Sequence, residues 1–204
     1  MTLLRRVLVP IGAALLTGIV ATPATAAPAS TLHEGAHVGF QHPDADRTLT
    51  VDLDRIDGTA QLDVEYWARS CTGSGDVETC ETIFRKAYDQ MPSRVRMSLR
   101  GASASGVVTY SQTVRTCTYG PVDEQGERPE SCTDAPSTAG TTSVKITWTG
   151  TGEVVKERWS DEEGARYVTR RRTATVVGTA FGESFPVEQS LITSLSRTRK
   201  YAAA

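Results

Sequence analysis

Gln61-Leu62-Asp63-Val64-Glu65-Tyr66-Trp67-Ala68-Arg69-Ser70 decides the fold class. Leu62, Val64, Tyr66 and Ala68 take alternate positions, with Gln61, Asp63, Glu65, Trp67 and Arg69 between them. Successive side chains of a strand point to opposite faces, so this spacing reads as a half-buried β-strand. The same period recurs on both sides. Leu49, Val51 and Leu53 alternate with polar residues, and Val95, Met97 and Leu99 oppose Arg94, Arg96, Ser98 and Arg100. Val108, Tyr110 and Val114 repeat the pattern, as do Val144, Ile146 and Trp148. Further strands are expected at 154–159, 166–180 and 187–200.

Such a run of half-buried strands, with no alternating helices, predicts an all-β chain. An antiparallel β-sandwich or a partly open barrel of about eight or nine strands buries one face of each. One short helix near residues 82–91 fits Ile83, Phe84, Ala87, Tyr88 and Met91. The stretch also alternates as a strand leaving Cys80, and a disulfide there needs a partner strand. Pro92 ends either version.

Immediately after the quoted strand comes the first of four cysteines. Arg69-Ser70-Cys71-Thr72-Gly73 is echoed by Arg115-Thr116-Cys117-Thr118-Tyr119-Gly120, and each copy runs through an acid-rich loop to a second cysteine. The echo predicts disulfides Cys71–Cys80 and Cys117–Cys132, each clamping the mouth of a loop between two strands. Closing such loops contributes about 2–3 kcal/mol apiece in the chain-entropy model. The spacings are not those of a four-thiolate zinc site.

The chain's first segment supports an oxidising destination. Arg5 and Arg6 precede an apolar run from Val7 to Val20, and Ala24-Thr25-Ala26 supplies a small-x-small cleavage pattern. Residues 1–26 therefore read as a secretory signal peptide, 27–47 as an N-terminal arm or first edge strand, and 48–204 as a single β domain. The expected product is a secreted monomer with no stable membrane anchor after cleavage. Without Arg5 and Arg6 the chain has 20 basic and 24 acidic residues, a balance unlike that of a nucleic-acid binder. There is no asparagine, so N-glycosylation is excluded and tight turns must use Gly, Asp and Pro.

Catalytic chemistry finds little support. All histidines, His33, His37 and His42, lie in one decapeptide of the arm. Gly35, Gly39 and Pro43 break any helix there, so no metal site is expected. No cysteine remains as a nucleophile, and no cofactor-binding motif occurs. Asp63 and Glu65 share a strand face, as a carboxylate hydrolase needs, but cross-strand pairing with arginine explains them more simply. Arg170-Arg171-Arg172 reads as a strand whose outward arginines pair with Glu153, Glu157 or Glu162.

Trp67, flanked by Glu65 and Arg69 on a polar face, is the most suggestive surface residue. With Arg69, Arg94, Arg96 and Arg100 it offers an aromatic-plus-guanidinium patch for sugars or anionic groups. The alternative is a covered face in which Trp67 is ordinary core. These features favour a non-catalytic binding module for a cell-envelope glycan, a protein or a small ligand. The alternatives are a protease inhibitor presenting the stapled loop Thr118–Ser131, and a carboxylate-dependent hydrolase.

Overall fold

The computed structural model describes residues 30–42, 44, 46–74, 76–185 and 190–203. The signal-peptide reading of residues 1–26 lies outside them. The chain is one antiparallel sheet of eleven strands and, among the described residues, no helix. These are β1 (Ser30–Gln41), β2 (Arg47–Ile56), β3 (Thr59–Ser74), β4 (Val77–Gln90), β5 (Arg94–Ser98) and β6 (Gly101–Tyr119). Then come β7 (Glu130–Asp134), β8 (Thr138–Ser160), β9 (Arg166–Ala180), β10 (Glu183–Phe185) and β11 (Ser190–Tyr201).

The count exceeds eight or nine because three lines of strand are interrupted. β4 and β5 both lie along β6, as do β7 and β8, while β10 and β11 both lie along β9. Each break has a local cause. Asp89 takes a left-handed conformation (φ 54°) and Pro92 follows, so the β4–β5 line cannot stay regular.

The sheet curls until it is partly ring-like. β8 pairs with both β6 and β9, and β11 pairs with both β9 and β1. It is not a barrel, because among the described residues β5 pairs with β6 alone and its other edge finds no strand. At that opening Arg55 Nη2 donates to the Met97 carbonyl at 3.2 Å, a side-chain bridge in place of a ladder.

One face of every long strand fills the interior. Val38, Val51, Leu53, Leu62, Val64 and Val176 have no exposed surface at all. Burying each such side chain is worth roughly 1.5–3 kcal/mol. Trp148 is buried with them, and its Nε1 donates to the His37 carbonyl at 3.2 Å, so the indole's one polar atom is satisfied. Near one end Phe181 closes the core. Its ring meets Tyr110 edge-on at 5.0 Å and Tyr66 at 5.9 Å, while Arg85 lies 5.3 Å above Tyr66.

Two hairpins use left-handed two-residue turns, Asp57-Gly58 (φ 47° and 94°) and Phe181-Gly182 (φ 54° and 81°). The first is the expected substitute for Asn-Gly. The second holds a bulky residue where φ is positive, and core packing on Tyr66 and Tyr110 offsets that cost.

Two expectations are settled here. The stretch Thr82–Met91 is strand through Gln90, held by Cys80 opposite Cys71 and by Ala87 buried opposite Val64. The supposed arm is neither loose nor an edge. Ser30–Gln41 is β1, paired with β2 on one side and β11 on the other.

Candidate functional site

β8, β9, β11 and β1 run past the core, and their core-side face changes chemistry as it leaves the interior. Leu195 and Ala36, paired across β11 and β1, still belong to the core. In the next row along this face, Lys156, Arg170, Arg197, Glu34 and Arg55 stand side by side across five strands. Beyond them come Arg158, Val168, Arg199 and Leu32, and then Ser160, Arg166, Tyr201 and Ser30. The bulge between Thr151 and Val155 shifts register without moving this set to the other face.

Glu34 is the one acid in these rows, and it is only 5% exposed. Arg55 clasps it through Nε at 2.8 Å and through a second bond from Nη2. Arg197 Nε stands 3.6 Å from its other oxygen. A buried carboxylate held this way is satisfied, and its charge is spent on two guanidiniums. Among the described residues no acid pairs with Arg158, Arg166, Arg170 or Arg199.

A cavity of about 210 Å³ opens in this face, lined by Leu32, Val168, Arg170, Arg197, Arg199 and Tyr201. A second, of about 350 Å³, is lined by Val168, Tyr201, Arg158, Ser160 and Arg166 together with Trp159 and Tyr167, which belong to the reverse face. With Glu34 beside Arg197 as the one acid in these rows, the guanidiniums make a positive hollow, and their planar forks suit phosphate, sulfate or carboxylate oxygens. On the reverse face the extension is braced. Trp159 stacks on Tyr167 at 3.9 Å, and the Tyr167 hydroxyl donates to Asp161 at 2.9 Å. That hydrogen bond holds the Asp161 carboxyl below its ordinary range.

The residues singled out from sequence are dispersed. Trp67 is half-buried on the outer face of β3, opposite Phe84 of β4. Arg69 Nη2 lies 3.2 Å from Cys80 Sγ, and its guanidinium covers the Tyr119 ring at 5.5 Å. Arg94 and Arg96 line a separate hollow of about 580 Å³ with Lys145. Arg100 sits in the Ser98–Gly101 turn. Trp67 lines none of these three hollows.

Other sequence expectations find different partners. Asp63 accepts the Asp89 backbone N–H at 2.7 Å, and Glu65 accepts the Tyr88 hydroxyl, so neither pairs with arginine. Arg172 donates to the carbonyls of Thr151 and Gly152, and no ion pair joins residues 170–172 to Glu153, Glu157 or Glu162 among the described residues. Of that run Arg170 alone lines the hollow, while Arg171, one position on, points to the opposite face. The histidines are ordered against carboxylates, His33 on Asp54 at 2.7 Å, His37 on Asp52 at 2.6 Å and His42 on Asp46 at 3.1 Å.

Both disulfides have the expected partners, Cys71–Cys80 and Cys117–Cys132. Such bonds fit an oxidising, extracellular environment. The loop between the second pair folds back on itself, with Gly120 N–H bonded to Pro129 O at 2.8 Å. Asp123 Oδ1 there accepts the N–H groups of Gln125 and Glu127. Among the described residues two groups of side chains come close enough to share an ion, but each contains a disulfide, whose sulfurs are not thiolate ligands. Compared with protein-family models, with curated proteins and with solved structures, the chain matches none.

Proposed function

We propose that the protein is a secreted, non-catalytic, monomeric binding module whose ligand is an anionic glycan of the cell envelope, held on the arginine face of β8, β9 and β11. The observation that carries this reading is the 210 Å³ hollow lined by Arg170, Arg197 and Arg199, with Glu34 the one acid in the adjoining rows. Its size suits a single anionic group rather than a whole small molecule, since ligand cavities of that kind run to roughly 300–1,000 Å³. A polymer lying along the face would place one group there and others beside Arg158 and Arg166. The mature chain's near-neutral balance does not weaken this, because recognition depends on where the charges lie.

The alternatives fit less well. The loop after Cys117 is knotted by internal hydrogen bonds rather than extended for a protease cleft. Asp63 and Glu65, the acid pair read from the sequence, are already engaged with Asp89 and Tyr88.

The test is retention on immobilised sulfated and phosphorylated polysaccharides at rising salt. Retention that falls with salt and is lost in Arg170→Glu/Arg199→Glu supports the reading. Retention that survives both the salt and the double variant excludes this face as the site. Arg94→Glu/Arg96→Glu serves as the control on the other cationic hollow, and its retention is expected to match the parent.

A further inference from the structure

The four cysteines occupy a single row across the sheet. Cys71 of β3 stands opposite Cys80 of β4, Cys80 opposite Cys117 of β6, and Cys117 opposite Cys132 of β7. The two bonded pairs have Cα separations of 4.0 and 4.1 Å, which mark the narrow, non-hydrogen-bonded sites of an antiparallel ladder. A residue's N–H and C=O point to the same side, so the pair between them, Cys80 and Cys117, is the wide, hydrogen-bonded one. Its Cα separation is then about 5.5 Å, inside the range a disulfide spans. The side chains of all four lie on one face, because direct partners share a face.

The row is also sorted by access. Cys71 and Cys132 are exposed, whereas Cys80 is 1% and Cys117 5% exposed. An incoming thiolate therefore reaches an outer sulfur, and the departing thiolate is an inner one beside the other inner sulfur. Arg69 Nη2, 3.2 Å from Cys80 Sγ, favours Cys80 as that leaving thiolate.

We infer that this row is a thiol–disulfide exchange site, in which a dithiol reductant converts the two outer disulfides into one central Cys80–Cys117 disulfide and two exposed thiols. One thiolate of the dithiol attacks Cys71 Sγ, forming a mixed disulfide, and the Cys71–Cys80 bond breaks with its electron pair leaving on Cys80. The Cys80 thiolate attacks Cys117 Sγ along the row, forming Cys80–Cys117 and expelling Cys132, which takes a proton from water. The second thiol of the dithiol then closes on its own mixed sulfur and releases Cys71. In sum, two protein disulfides and a dithiol give one protein disulfide, two cysteine thiols and an oxidised dithiol, a balanced two-electron exchange. The loop mouths at Cys71 and Cys132 are unclamped while β4 and β6 become covalently joined.

The test treats the mature folded protein with one equivalent of dithiothreitol, quenches with acid, alkylates and maps peptides without reduction. The expected product carries label on both Cys71 and Cys132 and a Cys80–Cys117 cross-link. Label on Cys71 and Cys80 together, or on Cys117 and Cys132 together, with the other native disulfide intact, would overturn the exchange. As a second route, Cys71→Ser/Cys132→Ser is expected to close Cys80–Cys117 in air while keeping its β-sheet circular dichroism. Persistent free thiols in that folded variant would overturn it too.

Discussion

The molecule carries two sheet extensions beyond its core, and they are held in opposite ways. In the first, β3, β4, β6 and β7 are tied by two disulfides in one row, and their charges are matched: Arg115 meets Asp134 at 2.7 Å and Arg128 meets Glu78 at 3.5 Å. In the second, β8, β9, β11 and β1 have no covalent tie, and their shared face carries cation beside cation with Glu34 as the counterweight. Strands that leave a core lose the hydrophobic term that ordered them and need another source of order. The first extension has it in its own bonds. The second concentrates like charge at a cost, and an anionic ligand is what would repay it.

The sharpest way to break this contrast is to remove the counterweight. Glu34→Ala leaves Arg55 and Arg197 facing each other at the edge of the core. Glu34 is the buried partner and both guanidiniums keep access to solvent, so the loss stays below the roughly 3–5 kcal/mol of a fully buried pair, and a clear fall in the urea midpoint is expected. A loss within error would mean that water already solvates this row, and the second extension would need no counterweight. The first extension is probed by Cys117→Ala/Cys132→Ala, which opens a loop of fifteen residues' separation. The expected loss is about 2–3 kcal/mol by equilibrium unfolding. The two losses should add, since the sites share no partner.

A smaller effect sharpens the contrast further. Sulfate or phosphate at ten times its dissociation constant is expected to stabilise the fold by about 1.4 kcal/mol through mass action. Chloride at equal ionic strength should not reproduce the gain, and Arg170→Ala/Arg199→Ala should abolish it. Equal stabilisation of parent and variant would assign the effect to general salting rather than to this face.

How far these regions could be read in advance follows from the range of the signal. Alternation is local, so the strands at 61–70, 95–99 and 144–148 were legible, and the cysteine echo carried the disulfides. The short β7 and β10 were not, since five and three residues are too few to show a period of two, and the strand expected at 154–159 runs on from 144–148 as one β8 through a bulge at 152–154. β1 was hidden by its composition. Ala36, Val38 and Phe40 alternate inward, but Gly35, Gly39 and the histidines dilute the pattern. The arginine face was missed for a different reason. It joins residues about 30 and 165 positions apart, such as Arg170 with Arg197 and Glu34 with Arg197, and only the register brings them together. Trp67, a tryptophan among charges, stands out in the linear sequence, yet the fold half-buries it opposite Phe84.

The finest test concerns the seam between the two regions, where β1 meets β2. His37 Nδ1 lies 2.6 Å from Asp52 Oδ1, and the hydrogen bond to Asp52 is the main cause that raises the imidazole pKa above its ordinary 6.5. Burial opposes the shift, and the charges of Asp52 and Asp54 assist it. A group whose pKa is raised on folding binds its proton more tightly in the native state. Its contribution is therefore complete below the unfolded value and vanishes as pH rises through the folded one. Because both partners are over a third exposed at their side chains, solvent screening keeps the pair within about 1 kcal/mol. His37→Gln should then melt below the parent at pH 5.5 and match it at pH 8.5, with Asp52→Asn showing the same trend. A gap that widens toward alkaline pH would mean that the neutral imidazole is the form the fold prefers.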